Sequence, residues 1–139
     1  MYSFKFLLIT ASTLASVIPE LNHTTIDFTS NYNTKISGPL IEGESAIIRY
    51  DLSRAKCPHA ISHATDTWGV YAFVAFNNDF SNTKSYAIAN HPSMGSPQID
   101  YQPLVELKRG DMAVWIMCSS ELGTTYDSDY GRNFHFNVL

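Results

Sequence analysis

The stretch Ser45-Ala46-Ile47-Ile48-Arg49-Tyr50-Asp51-Leu52 decides the fold class. Ala46, Ile48, Tyr50 and Leu52 recur at every second position, with Ile47, Arg49 and Asp51 between them. A strand turns successive side chains to opposite faces, so the first set is expected in a core and the second mostly in solvent. The C-terminus repeats the pattern: Phe134, Phe136 and Val138 face inward, which gathers Asn133, His135 and Asn137 on a wet face. Two runs, Trp68 to Phe76 and Ala113 to Cys118, are apolar on both faces and are expected mid-sheet. Thr24 to Thr29, Lys84 to Ile88 and Leu104 to Leu107 are shorter candidates, bounded by turn residues, while Ala55 to Thr67 and Asn90 to Pro97 read as long loops. Roughly seven strands at this spacing predict an all-β, two-sheet antiparallel sandwich, immunoglobulin-like or Greek-key.

Composition agrees and narrows the function. The 139 residues, 45% hydrophobic, suffice for one core and are too few for two ordinary domains. Charged side chains make up only 16%, a balance more typical of extracellular β proteins than of cytosolic enzymes. With 9 basic against 13 acidic side chains and no basic run, nucleic acid is excluded as an expected partner, since that binding needs clustered cations on phosphate.

Lys5 followed by the apolar run Phe6 to Ile18 has the order of a secretory leader, with Thr13-Leu14-Ala15 suited to cleavage. The run is too short and too rich in Ser and Thr for a transmembrane helix. The expected organisation is a signal peptide over 1–15, a linker over 16–23 and the sandwich over 24–139, in a secreted, extracellular protein. In an oxidising compartment Cys57 and Cys118 are expected to form one disulfide. Asn22-His23-Thr24 is an N-glycosylation sequon.

Candidate chemistry is sparse. Cys57, His59, His63 and Asp66 are zinc-ligand types in one segment, but their spacing matches no closed zinc pattern and Cys57 is better used in a disulfide. Arg109-Gly110-Asp111 spells an adhesion tripeptide, although Gly-Asp is ordinary turn chemistry. No G-x-S-x-G elbow occurs, and nothing selects a nucleophile with its base from the five histidines and 13 carboxylates, so no enzyme activity is expected. Asp127 and Asp129 are ligand types for calcium, without the spacing of an EF-hand loop; otherwise no cofactor is expected.

The most distinctive stretch is Tyr126-Asp127-Ser128-Asp129-Tyr130-Gly131-Arg132-Asn133-Phe134-His135-Phe136, where acids and aromatics crowd a loop leading into the last strand. Together with Ile47 to Arg54, Trp68 to Val74 and Val114-Trp115-Ile116, it resembles a family of small, mostly microbial secreted β-sandwich domains of unknown function, over about Ile26 to Val138. The closing segment is also similar to the last strand of starch-binding modules, W-D-N-N-x-G-x-N-Y-x-F. Asp127, Gly131, Asn133 and Phe136 match, Tyr126 stands in the place of Trp and Phe134 in that of Tyr. That resemblance implies rings stacking on sugar faces, with Tyr126 a smaller platform than Trp. The expectation is a non-catalytic recognition module for extracellular polysaccharide through Tyr126, Asp127, Tyr130, Asn133 and His135; Trp68 and Trp115 lie in central runs and are expected in the core. The alternatives are a protein-binding effector or toxin component and, behind it, a small hydrolase.

Overall fold

A computed structural model of the chain describes residues 23–55, 67–92 and 95–139. The leader over 1–15 and the linker up to residue 22, including Asn22, lie outside the described residues, as do Cys57, His59, His63 and Asp66. The chain forms the expected sandwich of two sheets. One is built from β1 (Thr24–Phe28), β2 (Thr34–Ile36), β3 (Ser45–Tyr50) and β7 (Leu104–Glu106), in the order β2-β1-β3-β7. The other contains β4 (Trp68–Phe76), β5 (Lys84–His91), β6 (Ile99–Asp100), β8 (Gly110–Ser120), β9 (Gly123–Asp127) and β10 (Phe134–Val138), in the order β10-β8-β4-β5-β6, with β9 also paired to β8. Among the described residues no helix is long and apolar enough to cross a membrane.

The period-two pattern fills the space between the sheets. Ile26, Phe28, Ala46 and Ile48 point in from the smaller sheet, and Val70, Ala72, Val74, Met112, Val114 and Ile116 from the larger, all 2% exposed or less. Pairing is antiparallel except between β1 and β3, which run parallel with Ile26 opposite Ile48 and Phe28 opposite Tyr50. This departure from the expected antiparallel plan follows from chain path: β2 folds back along one edge of β1, and β3 returns along the other edge in β1's own direction.

Several boundaries move for local reasons. β3 stops at Tyr50, because the Asp51 carboxylate accepts hydrogen bonds from Ser53 N (2.9 Å) and Ser53 Oγ (2.6 Å) and turns Leu52–Arg54 into a 3₁₀ helix. β8 runs eleven residues rather than six, since it finds partners along its whole length: β4 on one side, β9 and β10 in succession on the other. β5 continues to His91, so Asn90 and His91 belong to the sheet rather than to a loop. β2, β6 and β9 add to the expected strands; they are short and lack apolar alternation.

Candidate functional site

The closing segment folds as one long strand with an excursion. β9 pairs with residues Ile116 to Ser120 of β8, β10 with Gly110 to Val114, and residues 128–133 loop out between them. The Ser128 carbonyl closes the loop by accepting from Gly131 N (2.9 Å) and Asn133 N (2.8 Å). Asp129, Tyr130, Gly131 and Asn133 all take positive φ, from 45° to 86°, a region that Gly, Asn and Asp tolerate best. Arg132 pairs with Asp129 at 3.1 Å across the turn, and Tyr130 stands 94% exposed at its tip.

The five expected binding residues do not converge. Asp127 lies on the inner face of β9, 6% exposed, where Oδ2 accepts from Arg54 Nε at 2.6 Å and from the Tyr50 hydroxyl at 2.9 Å. Arg54 is itself 2% exposed and ringed by Phe28, Tyr32, Tyr50 and Phe134, its guanidinium carbon 5.2–5.8 Å from each ring centre. Its Nη1 donates to the Thr29 and Asn33 carbonyls at 3.3 and 3.0 Å. Burial, and after it the Asp127 charge, hold the Tyr50 hydroxyl far above the ordinary tyrosine range, so it remains a donor to the carboxylate. This cluster ties the end of β3 in one sheet to β9 in the other. Asp127 is thus committed to an internal ion pair and Asp129 to Arg132; among the described residues no three His, Cys, Asp or Glu side chains gather as a metal site.

Tyr126 and His135 point the other way, onto the outer face of the larger sheet. Tyr126 pairs with Met117 and His135 with Ala113, so they flank Trp115 along one edge of β8. His135 Nδ1 lies 2.8 Å from Asp111 Oδ2, a hydrogen bond that raises its pKa; slight burial opposes the shift and the Arg132 carbonyl, 3.0 Å from Nε2, adds to it. With Arg109 held by Glu42 at 3.1 Å and Asp111 facing His135, the Arg-Gly-Asp tripeptide opens β8 and is not a loop tip.

Trp115 corrects the sequence expectation. Trp68 is core, 5% exposed and stacked on His91, but Trp115 is half-buried on the outer face. It lies opposite Phe73 of β4, ring centres 5.6 Å apart and planes within 10°. Phe80, 50% exposed, approaches it from the Phe80–Asn82 turn at 6.1 Å. That turn is fastened by Asn77, whose amide donates to the Arg109 carbonyl (2.9 Å) and accepts from Asp111 N (3.0 Å). The Asn77 amide occupies the space where a side chain at Gly110 would stand, and Gly110 has φ +109°, so both restrict this position to glycine. Beyond Phe73, Tyr71 lays its ring over Gly69, where an added Cβ would come within 2.6 Å of it. Tyr71, Phe73, Trp115, Tyr126 and Phe80 together make an aromatic band across β4, β8 and β9, without a third layer over it among the described residues.

At the Trp68 end of the sheet the band runs into a cleft of about 530 Å³, with Trp68, Tyr71, Asn90, Met117, Ser119 and Glu121 among its walls. On the inner face Cys118 is 3% exposed and is not a free thiol; its expected partner Cys57 lies outside the described residues.

These features define a two-sheet β-sandwich with a closed inner core and an aromatic outer face. A family model described as a family of unknown function, DUF6209, matches residues 21–139, and the chain belongs to that family. No curated protein and no solved structure matches the chain.

Proposed function

We propose that the protein is a secreted, non-catalytic recognition module that holds extracellular glycan on the outer face of its larger sheet. One observation carries this reading: Trp115 stacks on Phe73 at a face that no other described element covers, flanked by Tyr126 and Phe80, which are about half exposed. Burying such rings in a core would stabilise the fold, so a cluster of them left on a small domain's surface is a recognition feature. Flat rings suit the C–H faces of sugars, and the polar cleft beside them supplies hydrogen-bonding groups. Tyr126 keeps the role that the starch-binding resemblance implies, now beside Trp115 rather than beside Asp127. The leader over 1–15, glycosylation at Asn22 and a Cys57–Cys118 staple belong to the same proposal and suit an extracellular life. An uncovered apolar face of this kind also suits a protein surface, which is the rival reading.

The test is retention of purified protein on insoluble polysaccharides, with calcium and with chelator, for wild type, Trp115→Ala and Tyr126→Ala. Both substitutions are on the outer face, so the variants should fold and lose retention, with calcium making no difference. A folded wild type that no polysaccharide retains, or a Trp115→Ala variant retained as well as wild type, overturns the proposal.

A further inference from the structure

We infer that the cavity over Arg54 is a second ligand site, which takes one uncharged sugar ring; the class of ligand rests on the glycan reading, but no residue is shared with the outer face. The cavity, of about 280 Å³, is lined by Tyr32, Arg54, Asp127, Asp129, Tyr130 and Phe134. Arg54 and Asp127 do not use all their polar atoms on each other. Arg54 donates from Nε to Asp127 and from Nη1 to the Thr29 and Asn33 carbonyls, and its Nη2 has no acceptor among the described residues. Asp127 accepts from Arg54 and Tyr50 through Oδ2 alone, which leaves Oδ1. Neither atom is sealed, since the unpartnered side-chain atoms shut off from solvent among the described residues are Trp68 Nε1, Asn90 Oδ1 and Thr125 Oγ1. Nη2 and Oδ1 therefore open into the cavity that both residues line, a donor and an acceptor on side chains joined at 2.6 Å. A sugar hydroxyl both accepts and donates, so neighbouring hydroxyls of one ring answer the pair.

The backbone points to the same place. Six non-glycine residues among those described have positive φ; four are Asn or Asp, which tolerate it, and the other two are Tyr32 (64°) and Tyr130 (59°). Both tyrosines line this cavity, from different loops, and both are largely exposed, at 62% and 94%. A bulky residue in this region costs the fold stability, and such outliers gather at ligand clamps. Tyr32 also lies on the Arg54 guanidinium, 5.2 Å from ring centre to carbon, and Phe134 does so at 5.3 Å, so the polar pair sits among rings. Charge sets the class of sugar: Asp127 meets Arg54 and Asp129 meets Arg132, which leaves the lining no spare cation, among the described residues, for a uronate or a sulfate. Volume sets the size, because the cavity is slightly below the usual range of small-molecule pockets and has room for one ring rather than a chain.

The chain has four arginines, so protein labelled with ¹⁵N at arginine gives four Nε–H signals, and single lysine replacements of the exposed Arg49, Arg109 and Arg132 assign the other three and leave that of Arg54. Full-length protein is titrated with the methyl glycosides of glucose, galactose, mannose and N-acetylglucosamine, with glucuronate, and with N-acetylprolinamide as a peptide probe. At least one neutral glycoside moves the Arg54 signal to saturation. Tyr130→Asn, which suits the backbone at φ 59°, weakens that sugar by about tenfold with Tm no lower than wild type. An Arg54 signal that no sugar moves overturns the pocket, and polysaccharide retention that depends on Trp115 then keeps the outer face. An Arg54 signal moved by sugar in a protein that no polysaccharide retains overturns the outer face alone. Prolinamide moving the signal where no sugar does overturns the sugar assignment, glucuronate moving it as far as the neutral glycosides overturns the selection by charge, and a Tyr130→Asn variant that binds like wild type overturns the clamp.

Discussion

Removing the Asp127 carboxylate should destabilise the sandwich severely, whatever it does to binding. In Asp127→Ala, Arg54 keeps its charge at 2% exposure and loses its only carboxylate, at 2.6 Å, among the described residues. An unpaired buried charge costs about 3–5 kcal/mol. The Tyr50 hydroxyl, which donates to the same oxygen at 2.9 Å, loses its acceptor as well, and an orphaned buried donor costs about 1–3 kcal/mol. Relaxation of one group relieves the other, so the two overlap and the expected total is roughly 4–6 kcal/mol. That is a large part of the roughly 5–15 kcal/mol a domain possesses. At about 4 °C per kcal/mol for a domain of this size, Tm falls by about 16–24 °C. Urea unfolding followed by fluorescence reads the change as a lower midpoint at constant slope. The double variant Arg54→Met, Asp127→Leu removes both charges together and should recover to within about 2 kcal/mol of wild type. A loss below about 1.5 kcal/mol in Asp127→Ala, or a double variant no better than the single one, refutes the assignment of Asp127 to the fold.

Three further outcomes are expected. Because folded Tyr50 holds its proton where an unfolded tyrosine releases it, stability should fall above pH ~10 by about 1.4 kcal/mol per pH unit, and Tyr50→Phe should flatten that fall by close to one proton in a pH series of urea melts. The Asp111 hydrogen bond raises the pKa of His135, so the stability from this link is complete below the unfolded histidine value of 6.5 and is lost as pH rises through the folded one; NMR titration should place the His135 midpoint above the ordinary value and Asp111→Asn should lower it, whereas an unchanged midpoint in that variant contradicts the assignment. Gly110→Ala puts a methyl group onto the Asn77 amide at φ +109°, and should cost about 1–3 kcal/mol and release Phe80 from Trp115, read as a lowered urea midpoint and weaker polysaccharide retention.

Much of the fold was legible because a half-buried strand writes its two faces into the chain. Ala46, Ile48 and Tyr50 name the inner face of β3, and Phe136 and Val138 that of β10, without any knowledge of their partners. β2, with the sequence Thr-Lys-Ile and two of its three residues exposed, and the two-residue β6 were hidden for the converse reason: backbone pairing makes them strands, and pairing leaves no trace in side-chain pattern. Asp127 shows how a motif misleads about a site. The crowding of Tyr126 to Phe136 was visible, but β9 alternates, so it sends Tyr126 outward and Asp127 inward to an arginine 73 positions earlier. Local sequence contains the alternation and not the partner.

Trp115 was misjudged by a rule applied outside its conditions, and a stricter use of that rule points to the outer face proposed for binding. A strand apolar on both faces is expected at the centre of a sheet covered on both sides, which in α/β proteins means helices above and below. A two-sheet sandwich covers only one face of each sheet, and the described residues form no third layer. Within such a fold a central strand buries its large side chains on the inner set, Met112, Val114, Ile116 and Cys118 on β8 and Val70, Ala72 and Val74 on β4, while on the outer set the fully buried residues are small ones such as Ala75 and Ala113. The other set, Trp115 and Met117 on β8 with Tyr71 and Phe73 on β4, must then lie on the outside of the molecule. Large aromatic residues on the outer faces of two adjacent central strands are therefore an excess that folding does not require, and on that excess the proposed binding face rests.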